Sequence, residues 1–207
     1  IIVSLTHGLK VVMANNAEHR NPKLLDALIK KYNVDVMTVT PSLMKINYDN
    51  REPDTALARV KNMVFGGEPL PEKFVQDLRA LADDITIYNI YGPSEITILS
   101  NVQNLNGEKE ITIGPPILNT QIYILDKNMK QVPIGVIGEI YIGGIQVGDG
   151  YIGKAEMTAE RFLKNPFGSG KIYKSGDIGR WTFDGKVQCL GRIDNQVKLR
   201  GLRIELS

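Results

Sequence analysis

The sequence has a single cysteine, no surplus of either charge and no long apolar run. Cys189 stands alone among 207 residues, which excludes an internal disulfide and a thiolate-only zinc site and is typical of a reducing compartment. Lysine and arginine number 25 against 23 aspartates and glutamates, so charge makes no case for nucleic acid or an anionic membrane. No apolar run approaches the ~20 residues of a membrane span. We therefore expect a cytoplasmic protein that binds neither nucleic acid nor membrane.

No targeting signal is visible in the first residues. The first residues have no basic segment and no cleavage site, and the chain begins without methionine on the apolar Ile1. It stops at Ser207 without a closing structural element. We expect both ends to be cuts within a longer protein.

The first hundred residues alternate short β-branched runs with stretches of helical periodicity. Apolar residues recur at helical spacing over 22–32 and 71–82, and Pro41-Ser42 indicates a turn into a short helix. Such alternation is typical of parallel α/β units. The predicted strands are residues 10–13, 34–39, 62–65 and 85–88.

After about residue 104 glycine and proline recur every few residues. Segments 120–125 and 136–143 read as antiparallel strands or a small barrel, interrupted by one helical segment over 154–162. The predicted fold class is α/β. Residues 1–103 would form a partial parallel-sheet α/β subdomain and 104–190 a small antiparallel β-barrel-like subdomain.

The segment of residues 88–95, YNIYGPSE, follows a predicted strand and concentrates functional side chains. Ligands of open α/β sheets gather at the carboxyl ends of strands. Asn89 can read a purine edge, Tyr91 can stack on a ring, Ser94 can donate to phosphate and Glu95 can hold a hard cation. The spacing fits equally well an ordinary strand-to-helix turn with Ser94 as the N-cap.

Three other positions are weaker candidates when each is taken singly. Gly66-Gly67 permits close backbone approach to a flat ligand, although glycines after strands usually only form turns. Asp177 could bind a ribose diol and Arg192 a phosphate, although surface salt bridges are commoner for such residues.

Taken together and in order, these segments resemble the adenylation domains of nonribosomal peptide synthetases, within the adenylate-forming (AMP-binding) superfamily. The Asn-x-Tyr-Gly-Pro-Ser-Glu and Asp-Asn-Gln-Val-Lys forms look like amino-acid-activating members. One such match is weak, but several in order are specific. The matching segments are FGGE from Phe65, NIYGPSE from Asn89, IGEIYIGGIQVGDGY from Ile137, TAERF from Thr158, NPF from Asn165, YKSGD from Tyr173 and GRIDNQVKLRG from Gly191.

The resemblance implies an enzyme that joins an amino-acid carboxylate to the α-phosphorus of ATP and releases pyrophosphate. The acyl group then passes to the phosphopantetheine thiol of a carrier protein domain. The implied cofactors are ATP and Mg²⁺. The implied partners are the amino acid, the carrier domain and neighbouring synthetase domains.

The resemblance also assigns residues. Glu95 would hold Mg²⁺ and Asp194 would be the hinge residue. Residues 191–207 would form the hinge and the start of a truncated C-terminal domain. The side-chain pocket would be small or apolar except at one threonine, which favours a hydrophobic amino acid; sheet core would look the same. Its members are Thr38, Val64, Gly66, Ile90, Ile98 and Leu99. The residues implied to bind ATP or AMP are Gly67, Glu68, Asn89, Ile90, Tyr91, Gly92, Ser94, Asp177 and Arg192.

The sequence departs from the family pattern in several places. Asp149 stands where an arginine is usual before Gly150-Tyr151, and Cys189 replaces a bulkier residue. The phosphate loop, the aspartate facing the substrate amino group and the catalytic lysine have no counterpart; neither Lys171 nor Lys198 matches the lysine. We expect no catalytic residue in this chain and no activity from it alone. An acyl- or aryl-acid CoA ligase and a noncatalytic nucleotide-binding or structural fragment remain alternatives.

Overall fold

The computed structural model describes residues 2–82, 84–193, 196–199 and 202–205. The chain divides into two compact units, Ile1–Ile87 and Tyr88–Ser207. The first contains parallel strands between helices and the second is mainly antiparallel, so the predicted α/β class is confirmed. Within the described ranges no helix has both the length and the apolar character needed to cross a membrane.

The first unit alternates helices with short strands. Short 3-10 helices cover Glu18–Arg20 and Ala56–Arg59. The regular elements are α1 (Ile2–Thr6), α2 (Pro22–Tyr32), β1 (Val36–Val39), α3 (Pro41–Asp49), β2 (Asn62–Phe65), α4 (Glu72–Arg79) and the start of β3 (Thr86–Tyr91).

Strands dominate the second unit. A 3-10 helix covers Ser94–Ile96 just after β3. The remaining elements are β4 (Asn101–Asn104), β5 (Thr120–Leu125), β6 (Gly138–Gly144), α5 (Ala155–Arg161), β7 (Phe162–Lys164), β8 (Lys171–Trp181), β9 (Val187–Arg192), β10 (Gln196–Leu199) and β11 (Leu202–Glu205).

Helix α2 shows how local sequence fixes an element. The Asn21 side chain accepts from backbone N–H groups of the first turn, and Pro22 occupies a position where its missing N–H costs nothing. Asn33 ends the helix in the left-handed conformation. Leu25 and Ile29, four residues apart, form its buried face.

The strands of the first unit are parallel, as the alternating pattern predicts. β1 and β2 pair from Val36 opposite Asn62 to Val39 opposite Phe65. Met63 and Phe65 are fully buried, and Phe65 meets Phe74 of α4 edge-on at 6.1 Å. One face of this strand pair therefore lies in the core.

The second unit contains a barrel-like antiparallel sheet. Its strand order is β5-β6-β8-β7, and β9 pairs with β8. Ile140, Ile142, Tyr173 and Val187 are fully buried in its core. β3 and β4 pair antiparallel, and β10 and β11 form an antiparallel hairpin.

Several boundaries differ from the predictions. Residues 10–13 form no strand, because no described strand pairs with them and Met13 is 71% exposed. The helix predicted over 71–82 covers only Glu72–Arg79, and β1 begins at Val36 instead of residue 34. β3 runs beyond residue 88 to Tyr91 because β4 pairs with its second half.

Candidate functional site

The end of β3 carries the polar residues that the sequence singled out. Burial alternates along the strand, so that Asn89 and Tyr91 face inward while Ile90 lies on the less buried face. Asn89, 6% exposed, donates from its amide nitrogen to the Thr112 carbonyl at 2.7 Å. The purine-reading role of Asn89 stays a prediction.

A tight turn follows β3. Gly92 is required there, because a Cβ would collide with the Ile98 carbonyl oxygen. Thr97 and Ile98 both adopt the left-handed conformation, at φ 58° and 78°, which is rare for β-branched residues. Ile98 is 77% exposed. Such strain tends to occur at functional sites.

Tyr91, Asp177 and Arg192 form a buried cluster. The Tyr91 hydroxyl donates to Asp177 Oδ2 through a short hydrogen bond. The Arg192 guanidinium donates to Asp177 Oδ1 at 2.8 Å, because β8 and β9 pair with these residues opposite each other. The structure thus joins three predicted nucleotide-binding residues at a carboxylate that is 7% exposed.

Neighbouring groups fix this carboxylate further. Ser175 Oγ accepts from the Asp177 N–H at 3.0 Å and donates to the Ile140 carbonyl at 2.6 Å. Burial, together with the negative charge of Asp177, raises the pKa of Tyr91 well above its usual range. Tyr91 is therefore a protonated donor at neutral pH, and its stacking on adenine stays a prediction.

Glu95 lies in the 3-10 helix after the turn. Its Oε1 accepts a hydrogen bond of 2.6 Å from the Tyr151 hydroxyl. The Tyr151 ring packs edge-on against Phe162 at 5.4 Å, and Phe162 contacts Tyr173 at 5.2 Å. Burial is the main cause that raises the pKa of Tyr173, and the neighbouring Tyr151 and Glu95 raise it further. Ser94, the predicted phosphate contact, is exposed beside this cluster.

The donor chemistry at Glu95 fits magnesium. Mg²⁺ usually takes one or two carboxylates and completes its coordination with substrate phosphates and water. Among the described residues no group of three or more His, Cys, Asp or Glu side chains comes together. A single, firmly held carboxylate suits a cation that arrives with a nucleotide.

The first unit holds three of the predicted pocket residues, Thr38, Val64 and Gly66. Thr38 and Val64 are register partners on β1 and β2, on the face opposite the buried Met63 and Phe65. Val64 is half-buried and Thr38 exposed, so neither is plain core. Their role in a substrate pocket stays a prediction, as does that of Gly66, Ile90, Ile98 and Leu99.

Glu68 has a structural partner that the sequence did not reveal. Its two carboxylate oxygens accept from the backbone N–H and the hydroxyl of Ser42, both at 2.9 Å. These contacts cap the start of α3, where the Thr40 side chain makes no capping bond. Gly67 just before it is left-handed, at φ 82°. Contact of either residue with nucleotide stays a prediction.

Three further outcomes concern residues named in the sequence analysis. The hinge residue Asp194 lies outside the described residues. The sequence drew attention to Tyr151 only through the altered turn before it. It did not predict the contact of Tyr151 with Glu95, because no spacing rule connects residues 56 positions apart. Lys171, which matches no catalytic lysine, donates to the Asp149 carbonyl at 3.0 Å.

Comparison with known proteins decides the family. The family model described as "AMP-binding enzyme" matches residues 1–152. This chain belongs to the AMP-binding enzyme family. Its resemblance to peptide-synthetase adenylation domains is confirmed by relatives along its whole length.

Two relatives of this AMP-binding chain illustrate the match. A linear gramicidin synthase of Brevibacillus parabrevis is 44% identical over 100% of this chain. Indigoidine synthase of Dickeya dadantii (strain 3937) is 39% identical, also over 100%. The chain spans 4% of the length of the first relative and 14% of the second.

Solved structures agree with the fold. PA1221, a nonribosomal peptide synthetase protein containing adenylation and PCP domains and bound to a vinylsulfonamide inhibitor, superposes with a TM-score of 0.82 at 28% identity, covering 89% of this chain and 33% of that one. IdnL1 gives 0.88 at 25% identity, covering 96% and 43%.

Proposed function

We propose that the protein carrying this chain activates an amino acid. It forms aminoacyl-AMP from ATP, releases pyrophosphate and loads the acyl group onto the phosphopantetheine thiol of a carrier domain. The observation that supports this most directly is the buried Tyr91–Asp177–Arg192 cluster. It holds one carboxylate and one guanidinium in fixed positions beside the last residues of β3 and β9.

The chemistry of this cluster suits a ribonucleotide. Each carboxylate oxygen has two lone-pair directions, so Asp177 can accept from ribose hydroxyls while Tyr91 and Arg192 hold it. The Arg192 cation next to it suits a phosphate oxygen. Since the amino-acid carboxylate is the nucleophile and pyrophosphate the leaving group, the protein mainly positions its substrates and offsets charge.

Glu95 would hold Mg²⁺, which supplies neutralisation of phosphate charge when bound. Ser94, the preceding residue, is exposed, and we propose that its hydroxyl donates to the α-phosphate. We assign no residue of this chain to proton transfer, in keeping with a reaction whose nucleophile and leaving group belong to the substrates.

The partners follow from the relatives. PA1221 contains adenylation and PCP domains. We therefore propose a carrier domain and neighbouring synthetase domains as partners, and the cytoplasm as the place where ATP is used. We also propose a hydrophobic amino acid as substrate, because the predicted pocket residues are small or apolar apart from Thr38.

ATP–pyrophosphate exchange with a panel of amino, aryl and fatty acids tests the proposal on the full-length protein. We expect exchange with one hydrophobic amino acid. Exchange with aryl or fatty acids alone would identify a CoA-ligase relative instead, and no exchange with any acid would refute the activity.

Asp177→Asn supplies the matched test of the nucleotide site. The substitution keeps the shape but removes the charge that faces the ribose and Arg192. We expect the KM for ATP to rise about 10- to 100-fold, because the variant loses a hydrogen bond to a charged group. The control is Asp184→Asn, at an exposed turn of the same unit, which should leave the KM for ATP unchanged.

A further inference from the structure

One loop holds Glu95 through several independent contacts. The Tyr151 hydroxyl donates to Glu95 Oε1 at 2.6 Å, although the two residues lie 56 positions apart. The backbone is held as well, because the Gly148 N–H donates to the Glu95 carbonyl at 2.8 Å. Thr97 Oγ1 donates to the Gln146 carbonyl at 2.9 Å. We call residues 145–151 the clasp loop.

Glycine at position 148 leaves space for this approach. A Cβ there would lie 3.1 Å from the Glu95 carbonyl oxygen, tighter than nine in ten real contacts of this kind, so a side chain would require the neighbouring backbone to shift by a few tenths of an ångström. The clasp loop therefore reaches the main chain of Glu95 as well as its side chain, and the carboxylate and the peptide that carries it are fixed together.

Tyr151 is itself held in place. Its backbone N–H donates to Thr158 Oγ1 at 2.9 Å, which ties it to α5. Its ring packs edge-on against Phe162, which in turn contacts the fully buried Tyr173. A hydroxyl on a ring fixed in this way points in a defined direction, and it points at Glu95.

We propose that Tyr151 is a positioning residue for the divalent cation, acting through Glu95. Its hydroxyl orients the carboxylate before metal and nucleotide arrive, as partners of metal ligands commonly do. The hydroxyl uses one of about four lone-pair directions of the carboxylate, so the carboxylate keeps acceptor capacity for a cation. This inference rests on the proposed function, in which Glu95 holds Mg²⁺.

The test uses Tyr151→Phe in the full-length protein, since this change removes the hydroxyl and keeps the packed ring. Mn²⁺ binding is measured by electron paramagnetic resonance with saturating α,β-methylene-ATP, so that no turnover occurs. We expect the Kd for Mn²⁺ to rise about tenfold. In pyrophosphate exchange the KM for Mg²⁺ should rise while kcat at saturating Mg²⁺ stays near that of the wild type.

Tyr141→Phe is the matched control. Tyr141 also donates to a carboxylate, Glu139 Oε2 at 3.1 Å, within the same unit. Its loss should leave Mn²⁺ affinity unchanged. An equal weakening in both variants would overturn the proposal, because the effect would then be a general loosening of this unit.

Glu95→Gln separates the two levels of the proposal. If Glu95→Gln weakens Mn²⁺ binding and Tyr151→Phe does not, Tyr151 has no positioning role while the proposed function stands. If Glu95→Gln leaves Mn²⁺ binding unchanged, the metal assignment itself fails and this inference fails with it. Tighter binding in Tyr151→Phe would show that the hydroxyl competes with the metal, which also overturns the proposal.

Discussion

At the scale of single residues, the described site is a set of carboxylates whose positions are set by tyrosine hydroxyls. Tyr91 holds Asp177, and Tyr151 holds Glu95. A buried carboxylate that loses a donor keeps its desolvation cost without the compensating hydrogen bond. Phenylalanine at either position therefore tests the hydrogen bond separately from the packing of the ring.

Tyr91→Phe is expected to lower the free energy of unfolding by about 1.5–3 kcal/mol, the usual contribution of a hydrogen bond to a charged group. Urea denaturation measures the change. Tyr88→Phe, on the other face of β3, is the control and should stay within about 0.5 kcal/mol of the wild type. A Tyr91→Phe protein as stable as the control would show that Asp177 does not need this donor.

The raised pKa of Tyr91 also predicts how the stability of the fold depends on pH. Because the pKa of Tyr91 is raised in the folded state, the unfolded chain releases this proton first, near pH 10. The stabilisation is therefore present below about pH 10 and is lost as the pH rises further. Wild type should lose stability above about pH 10 more steeply than Tyr91→Phe. Tyr141 and Tyr173 are retained in both proteins, so parallel curves would contradict the assignment.

At the scale of elements, hydrogen bonds to side chains join helices to the loops beside them. Asp26 of α2 accepts from the Thr55 hydroxyl at 2.7 Å and the Ala56 N–H at 2.6 Å, and pairs with Lys30 at 3.0 Å. Burial acts to raise the pKa of Asp26, but hydrogen bonds from Thr55, Lys30 and Ala56 outweigh it, so the pKa is lowered. This aspartate ties α2 to the 3-10 helix at Ala56–Arg59.

Asp26→Asn is expected to cost about 1–2 kcal/mol at neutral pH, measured by urea denaturation. A lowered pKa stabilises the fold above the ordinary value of 3.8 and ceases to do so as the pH falls below it. The difference from the wild type should therefore shrink in acid. Asp49→Asn, which breaks an exposed pair with Lys45, should change stability by less than about 0.5 kcal/mol. Equal losses of stability in the two variants would show that Asp26 does not join α2 to the 3-10 helix at Ala56–Arg59.

Local signals predicted some elements accurately and missed others. α2 has the predicted bounds because Asn21, Pro22 and Asn33 mark both of its ends. The eleven-residue β8 was missed because Gly176 and Gly179 interrupt its pattern. The tertiary structure explains the glycine at position 179, since a Cβ there would lie 2.5 Å from the Gln188 carbonyl oxygen of β9.

The contacts of the candidate site were likewise predicted only in part from the sequence. The resemblance in motif order assigned Tyr91, Asp177 and Arg192 to one nucleotide, and the structure brings them together. It gave no sign that Glu68 caps α3 or that Tyr151 holds Glu95, because both contacts join distant segments through side chains. Long-range hydrogen bonds leave no periodicity in a sequence.

At the scale of the whole molecule, the first unit exposes apolar side chains beside a strand with an open edge. Among the described strands, β1 pairs only with β2. Val36 on β1 is 52% exposed, and Leu5, Leu9 and Met13 are more exposed still. Open edges beside apolar surface favour association of chains.

We expect the 207-residue chain to self-associate as its concentration rises, which light scattering measures. Val36→Lys should reduce the association, because a charge on an edge strand opposes pairing. Ile152→Lys is the control, at an apolar residue that is more exposed than Val36 but lies outside any described strand, and it should have a smaller effect. A stable monomer at every concentration would contradict the prediction.

The end of β9 has a mechanical consequence. Arg192 binds Asp177, and the next residue, Ile193, donates its N–H to the Gly176 carbonyl at 2.9 Å. A force applied at Ile193 therefore acts on the Gly176–Asp177 segment through two adjacent bonds, of which only the Arg192 bond ends on the buried carboxylate. By the same connection, we expect a ligand that draws Asp177 or Arg192 into a new position to displace Ile193 as well.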